Sequence, residues 1–168
     1  MRLSFYRADG KYCGYLRQLD RCVPYVKDGK DSRPFMGIVL SINEFHYYAP
    51  LSSPKPKHLK MKNQIDFIKI NGGKWGVINF NNMIPVHSRR LARIEPALLP
   101  ADTQSDRAYR DLLTNQLTWC NSNRDAIYSK AEKLHRTIVN GKGWPELNNR
   151  CCDFLLLESK CREDGVYE

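Results

Sequence analysis

Two adjacent hydroxyls, Ser52 and Ser53, stand directly before Pro54, and four lysines with one histidine follow between Lys55 and Lys62. Serine hydroxyls donate short hydrogen bonds to phosphoryl oxygens, and lysine supplies positive charge where negative charge develops, so these residue types side by side suit a phosphate site. Pro54 and Pro56 predict a stiff, extended path from which Lys55 and Lys57 project two residues apart, with little ordering entropy left to lose. The other reading is a solvated basic loop, the common fate of a charge run. The doubled hydroxyl, the doubled proline and the position after a core strand bring the two readings level.

Such a site suits RNA. Where the substrate's own 2′-hydroxyl attacks the neighbouring phosphate, the protein has to align the attack, neutralise the phosphorane and help protons move. Ser52, Ser53 and Lys55, with a cation from elsewhere, cover the first two duties, and DNA lacks the attacking hydroxyl. A two-metal nuclease is not expected, because Glu44, Asp66 and Glu95 stand isolated at strand ends rather than gathered on one site. No metal or other cofactor is called for: Cys151-Cys152 is an adjacent pair that cannot make a zinc chelate, and Gly72-Gly73 belongs to a hairpin too short for a nucleotide loop. His46 reads as a packed or half-exposed strand residue, His87 as the start of an exposed basic turn, and His135 as lying on the polar side of a helix.

The chain that must position this turn has 168 residues, 42% hydrophobic and 27% charged, with 27 Lys+Arg against 18 Asp+Glu for a net charge of +9. That is too apolar for wholesale disorder and too polar for a membrane protein, and one domain spanning residues 1–168 is expected. The positive excess favours anionic partners, nucleic acid first. The opening residues lack the apolar core of a signal peptide and no apolar run is long enough to span a bilayer. A cytoplasmic protein without a membrane partner is expected, its six cysteines reduced and mostly buried.

The first half reads as strands and the second as helices. Arg2–Tyr6 alternates like a half-buried strand, Tyr12–Leu19 follows helical spacing, and Val26–Pro34 is a loop. Phe35–Ile42 reads as a central strand buried on both faces, and Phe45–Ala49 as its hairpin partner, ending at Pro50. Leu51–Lys62, with two prolines and four lysines, reads as neither an interior strand nor an interior helix. Asp66–Ile70 and Trp75–Phe80 make a second hairpin about Asn71–Lys74, and Met83–Val86 and Leu91–Ile94 add short strands, the first at an edge or bend because of Pro85. Amphipathic helices follow over Tyr109–Cys120 and Ile127–Ile138, with Asp102 or Thr103 as N-cap and Asn140-Gly141 as the stop. A last helix lies around Phe154–Leu157, and Arg162–Glu168 should fray. The fold class is α/β (α+β), a twisted antiparallel sheet packed by C-terminal helices.

The run Phe35-Met36-Gly37-Ile38-Val39-Leu40, then Tyr48-Ala49-Pro50-Leu51-Ser52-Ser53-Pro54-Lys55, then Val77-Ile78-Asn79 through Met83-Ile84-Pro85-Val86, resembles the ToxN/AbiQ family of endoribonuclease toxins from type III toxin-antitoxin systems. The Tyr12–Leu19 helix, Gln116-Leu117 and Asn140-Gly141-Lys142 also fit, so the resemblance runs over most of the chain. It implies a fold similar to the Kid/MazF toxins. It also implies metal-independent cleavage of mRNA, and of a repetitive antitoxin precursor, to 2′,3′-cyclic phosphate and 5′-hydroxyl ends. The implied partner is an antitoxin RNA of pseudoknot repeats, alternating with protein in a cyclic assembly that blocks the active site. The family's hydroxyl pair and lysine fall on Ser52, Ser53 and Lys55, and its cation before the Phe-x-Gly-Ile strand falls on Arg33. Ser53 is then nearest the scissile phosphate, Ser52 its orienting partner, and Lys55 and Arg33 stabilise the phosphorane. Lys57, His58, Lys60, Lys62, Lys30 and Tyr25 are left as RNA-binding groups, with a proton shuttle as the other role open to His58. From a different class, the alternative is a non-catalytic RNA-binding module using the same basic loop.

Overall fold

The Phe-x-Gly-Ile run makes the centre of the sheet. In the computed structural model, which describes residues 2–25 and 36–166, strand β2 (Gly37–Ile42) pairs over its full length with β3 (Phe45–Ser52) around the Asn43-Glu44 turn. Asn43 adopts a positive φ of 54° there, a conformation that asparagine tolerates better than most residues. Outward from this hairpin, β1 (Phe5–Ala8) pairs with β2, and β7 (Leu91–Ile94) pairs with β1. On the other side β3 pairs with β5 (Val77–Asn79), which pairs with β4 (Phe67–Lys69), while the two-residue β6 (Ile84–Pro85) lies against the middle of β3. The order is β4-β5-β3-β2-β1-β7, and every recorded pairing is antiparallel.

Two expectations about this hairpin need correction. Strand β3 does not stop at Pro50. Proline removes one ladder donor, but the next N–H, that of Leu51, reaches the Met36 carbonyl at 2.8 Å, and β5 then takes up Leu51 and Ser52 from the opposite edge. The strand therefore carries Ser52 out to the rim of the sheet. Nor is β2 buried on both faces, since Val39 and Ser41 are only half-buried.

Around the sheet lie α1 (Gly10–Leu19), α2 (Pro56–Lys60), α3 (Gln104–Ser122), α4 (Arg124–Val139), α5 (Pro145–Arg150) and α6 (Phe154–Val166). Asp9 caps α1, its side chain accepting the Lys11 N–H at 2.9 Å. Thr103 caps α3 in a box with Asp106, with Thr103 Oγ1 accepting one N–H and the Asp106 carboxylate the other, the usual means of satisfying orphan donors. Helix α6 runs on through Val166 instead of fraying at Arg162, and Arg90 braces it, donating to Asp164 at 2.7 Å and to Asp9 at 2.9 Å. His135 is a further correction: it is buried rather than on a polar face, because Glu158 of α6 meets it at 2.6 Å and shares the same carboxylate oxygen with the Tyr47 hydroxyl, also at 2.6 Å. All six cysteines are free and only Cys22 is not buried. No helix among the described residues is long and apolar enough to cross a membrane.

Candidate active site

Ser52 is the last residue of β3, opposite Val77 of β5. Its Oγ accepts a 2.7 Å hydrogen bond from Nδ2 of Asn79, two residues along the same strand. Residues at j and j+2 on a neighbouring strand lie on one face, within reach of a diagonal side chain. Ser52 is half-buried, and Ser53, one residue beyond the sheet, is exposed.

The chain then turns through Pro54 into α2. This corrects the expectation of a stiff extended path: Pro56 sits at the first position of a short helix, where a missing N–H costs nothing and a fixed φ is already helical. Lys55 stays extended just before it, at φ −136° and ψ 148°. Its backbone is held on both sides by His58, whose N–H donates to the Lys55 carbonyl at 2.9 Å and whose ring Nδ1 accepts the Lys55 N–H at 3.1 Å. The ammonium of Lys55 is thus carried on a fixed backbone and projects from an exposed residue.

His58 is the second correction at this site. Expected as an RNA-binding group, it is only 2% exposed, because its ring turns inward to cap Lys55. An Nδ1 that accepts must be unprotonated, so the ring is neutral with its proton on Nε2. Burial, then the charges of Lys57 and Lys55, push its pKa below the ordinary value. The sign follows. A base whose pKa is lowered on folding contributes stability that is complete above its unfolded value of about 6.5 and is lost as pH falls from there through the lowered folded value. Cleavage is expected to show an acid limb below that pH, where a protonated Nδ1 repels the Lys55 N–H. A His58→Gln variant should lack that limb in a rate profile; a limb of unchanged position would exclude His58 as its source.

Glycines bring a second turn up against the first. After β4 the chain makes a 3₁₀ turn, Ile70–Gly73, and reaches β5 through Gly76. A Cβ on Gly73 would lie 2.3 Å from the His58 carbonyl oxygen, and one on Gly76 would lie 2.1 Å from that of Ser52. Both have φ above +90°, which excludes most side chains on backbone grounds alone. Lys69 closes the far end of α2, its Nζ donating to the Met61 carbonyl at 3.0 Å, and Gln116 of α3 anchors the glycine turn by donating to the Trp75 carbonyl at 2.9 Å.

The structure therefore unites Ser52, Ser53, Lys55 and His58 and adds Asn79, Gly73, Gly76 and Lys69, which were not foreseen. Lys57, Lys60 and Lys62 are exposed on or just after α2. Tyr25 is 61% exposed with the Arg17 guanidinium 5.6 Å from its ring centre. Arg33 and Lys30 lie outside the described residues. Asp66, expected as an isolated carboxylate, is buried in a bidentate pair with Arg150 at 2.7 and 3.0 Å. The result is a turn held by His58 and the glycine loop that carries two hydroxyls and a lysine, with further lysines downstream, groups whose chemistry suits a phosphodiester.

Residues 4–162 match the family model described as Toxin ToxN, type III toxin-antitoxin system. Two similar relatives are both named Endoribonuclease ToxN. The chain is 33% identical to that of Bacillus thuringiensis subsp. kurstaki over 95% of its own length and 83% of the relative's. It is 34% identical to that of Pectobacterium atrosepticum over 97% and 94% respectively. Among solved structures, a toxin studied for selective inhibition by a non-coding RNA pseudoknot in bacterial type III systems superposes with a TM-score of 0.78 and 33% identity, covering 98% of this chain and 99% of that one.

Proposed function

The chain belongs to the ToxN family of type III toxin-antitoxin toxins, and from that premise we propose that the Ser52–Lys55 turn is where this endoribonuclease cleaves RNA. The substrate's 2′-oxygen attacks the adjacent phosphorus and loses its proton to solvent. A five-coordinate phosphorane forms, and the bond to the 5′-oxygen breaks as that oxygen takes up a proton. The ends left are a 2′,3′-cyclic phosphate and a 5′-hydroxyl. Ser53, the more exposed hydroxyl, lies nearest the scissile phosphate, with Ser52 orienting it, and Lys55 places its charge on the non-bridging oxygens as they become more negative. Arg33 adds a second cation, and its planar fork suits phosphate. None of these steps draws on a bound metal.

The observation that carries this reading is the rigidity of the turn. A solvated basic loop has no need of a buried histidine clamping one lysine's backbone, nor of a glycine giving its Cβ space to the Ser52 carbonyl. Preorganised donors are the main catalytic resource for a reaction whose nucleophile is already in the substrate. Lys57, Lys60, Lys62, Lys30 and Tyr25 are assigned to holding the RNA strand. The partner is a non-coding RNA, and we take it to be a pseudoknot that covers this turn in an alternating protein-RNA assembly. Messenger RNA is the substrate when the partner is absent, which places the protein in the cytoplasm.

The test is incubation of the purified protein with RNA in excess EDTA, followed by end-group analysis. Fragments that resist ligation at the 3′ end until the cyclic phosphate is removed, and that accept phosphate at the 5′ end, are expected. RNA left intact at high protein concentration, while still bound, would establish the non-catalytic RNA-binding module instead.

A further inference from the structure

We infer that Asn79 is a positioning residue of the cleavage reaction, one that fixes the direction in which the Ser52 hydroxyl donates its hydrogen; this rests on the assignment of Ser52 to the cleavage site as the orienting partner of Ser53. A serine hydroxyl has one hydrogen to give and two lone pairs to receive with. The Nδ2 amide of Asn79 occupies the receiving side at 2.7 Å, so the Ser52 hydrogen must rotate away from it. Such a hydroxyl is also a better donor, because accepting one hydrogen bond polarises the O–H for the next.

The placement is specific to this corner of the sheet. The register that sets Ser52 against Val77 and Phe67 against Asn79 brings a residue 27 positions away onto the same face as Ser52, at diagonal reach. Both side chains are half-buried, so the bond is partly shielded from water while one side of the hydroxyl stays open to a ligand. Gly76 holds the chain just upstream of β5 tightly against the Ser52 carbonyl, which leaves the serine backbone little freedom to turn its side chain elsewhere. A residue that only stabilised the β3-β5 pairing would have no need to spend its amide on an oxygen at the rim. Asn79 instead does for Ser52 what a buried orienting group does for any catalytic hydroxyl: it removes the wrong rotamers before the substrate arrives.

The experiment measures kcat and KM for wild type, Asn79→Ala, Asn79→Asp, Ser52→Ala and the double variant Ser52→Ala/Asn79→Ala, with the thermal midpoint of each. Losing one neutral hydrogen bond should lower kcat about tenfold in Asn79→Ala with little change in KM. Asn79→Asp is nearly isosteric but can only accept, so it captures the Ser52 hydrogen and sets a negative charge beside the phosphate; a loss on the order of a hundredfold or more is expected. The double variant should be no slower than Ser52→Ala alone, since Asn79 acts through that hydroxyl. Effects that multiply in the double variant would overturn the inference and assign Asn79 a separate role. So would an Asn79→Asp variant as active as wild type, and so would an Asn79→Ala loss fully accounted for by a lowered midpoint. If Ser52→Ala itself cuts at the wild-type rate, the assignment of Ser52 to the site fails and takes this inference with it. If Ser52→Ala is slow while Asn79→Ala is not, only the inference fails.

Discussion

A Lys55→Ala variant is expected to lose cleavage by about two to three orders of magnitude, the range seen when a preorganised donor to developing charge is removed, while unfolding at the wild-type temperature. The second half of that expectation is as physical as the first. Lys55 is exposed, and the structure fixes its backbone through His58 rather than its side chain, so truncation beyond Cβ leaves both hydrogen bonds of the turn in place. Ser53→Ala should behave alike, since Ser53 is exposed and lies one residue beyond the end of β3. Lys55→Arg should recover part of the rate, because charge is kept while the compact ammonium becomes a planar fork with different reach. In contrast, Lys62→Ala should raise KM with kcat nearly unchanged, as befits a group that only attracts the strand. The measurement is single-turnover cleavage of a labelled RNA alongside thermal unfolding. A folded Lys55→Ala protein that cuts normally would remove the lysine from the active site.

The pair of hydroxyls and the lysine of the proposed site were legible in the sequence because they lie within four residues, Ser52 to Lys55, and no folding is needed to bring them together. The β2-β3 hairpin was legible for a similar reason, since its apolar run admits few other homes. The long helices α3 and α4 announce themselves through Leu113, Gln116 and Cys120 and through Ile127, Ala131 and Leu134, which recur at helical spacing and are buried as that spacing demands. What escaped was set by distant partners. Asn79 has no local mark, because its significance is created by a strand register across 27 residues. His135 follows Leu134 and stands one turn after Ala131, on the buried side of its own helix, and a polar ring is tolerated there because Glu158 arrives from α6 to satisfy it. Pro56 carries opposite meanings, a break within a helix and a start at its first position, and only the inward turn of His58 selects the second. Arg33 was placed by resemblance rather than by its neighbours.

Gly76→Ala is expected to damage both stability and cleavage, and its comparison with Gly141→Ala isolates the reason. Both glycines have positive φ, 94° and 67°, so each alanine variant is strained by about 1 kcal/mol or somewhat more from the left-handed conformation alone. At Gly141, past the end of α4, an added Cβ meets nothing within 4 Å, and the loss should stop there. At Gly76 the same atom would lie 2.1 Å from the Ser52 carbonyl oxygen and 3.3 Å from the Pro54 nitrogen. These are backbone atoms, one in a strand and the other fixed by a proline ring, so neither yields as a side-chain tip would. Something must move, and the soft direction is to lift the Ser52–Lys55 turn off the glycine loop. A total cost of about 2–4 kcal/mol is expected, a fall in Tm on the order of 10 °C for a chain of this size. Cleavage should fall further than Tm explains, because a displacement of even 1 Å at a positioning element can cost about a hundredfold in rate. Assayed well below its own Tm, Gly76→Ala should therefore be nearly inactive yet folded, whereas Gly141→Ala should cut normally. Equal Tm values and equal rates for the two variants would show that the turn is not held by this close approach, and the rigidity on which the cleavage reading depends would have to come from His58 alone.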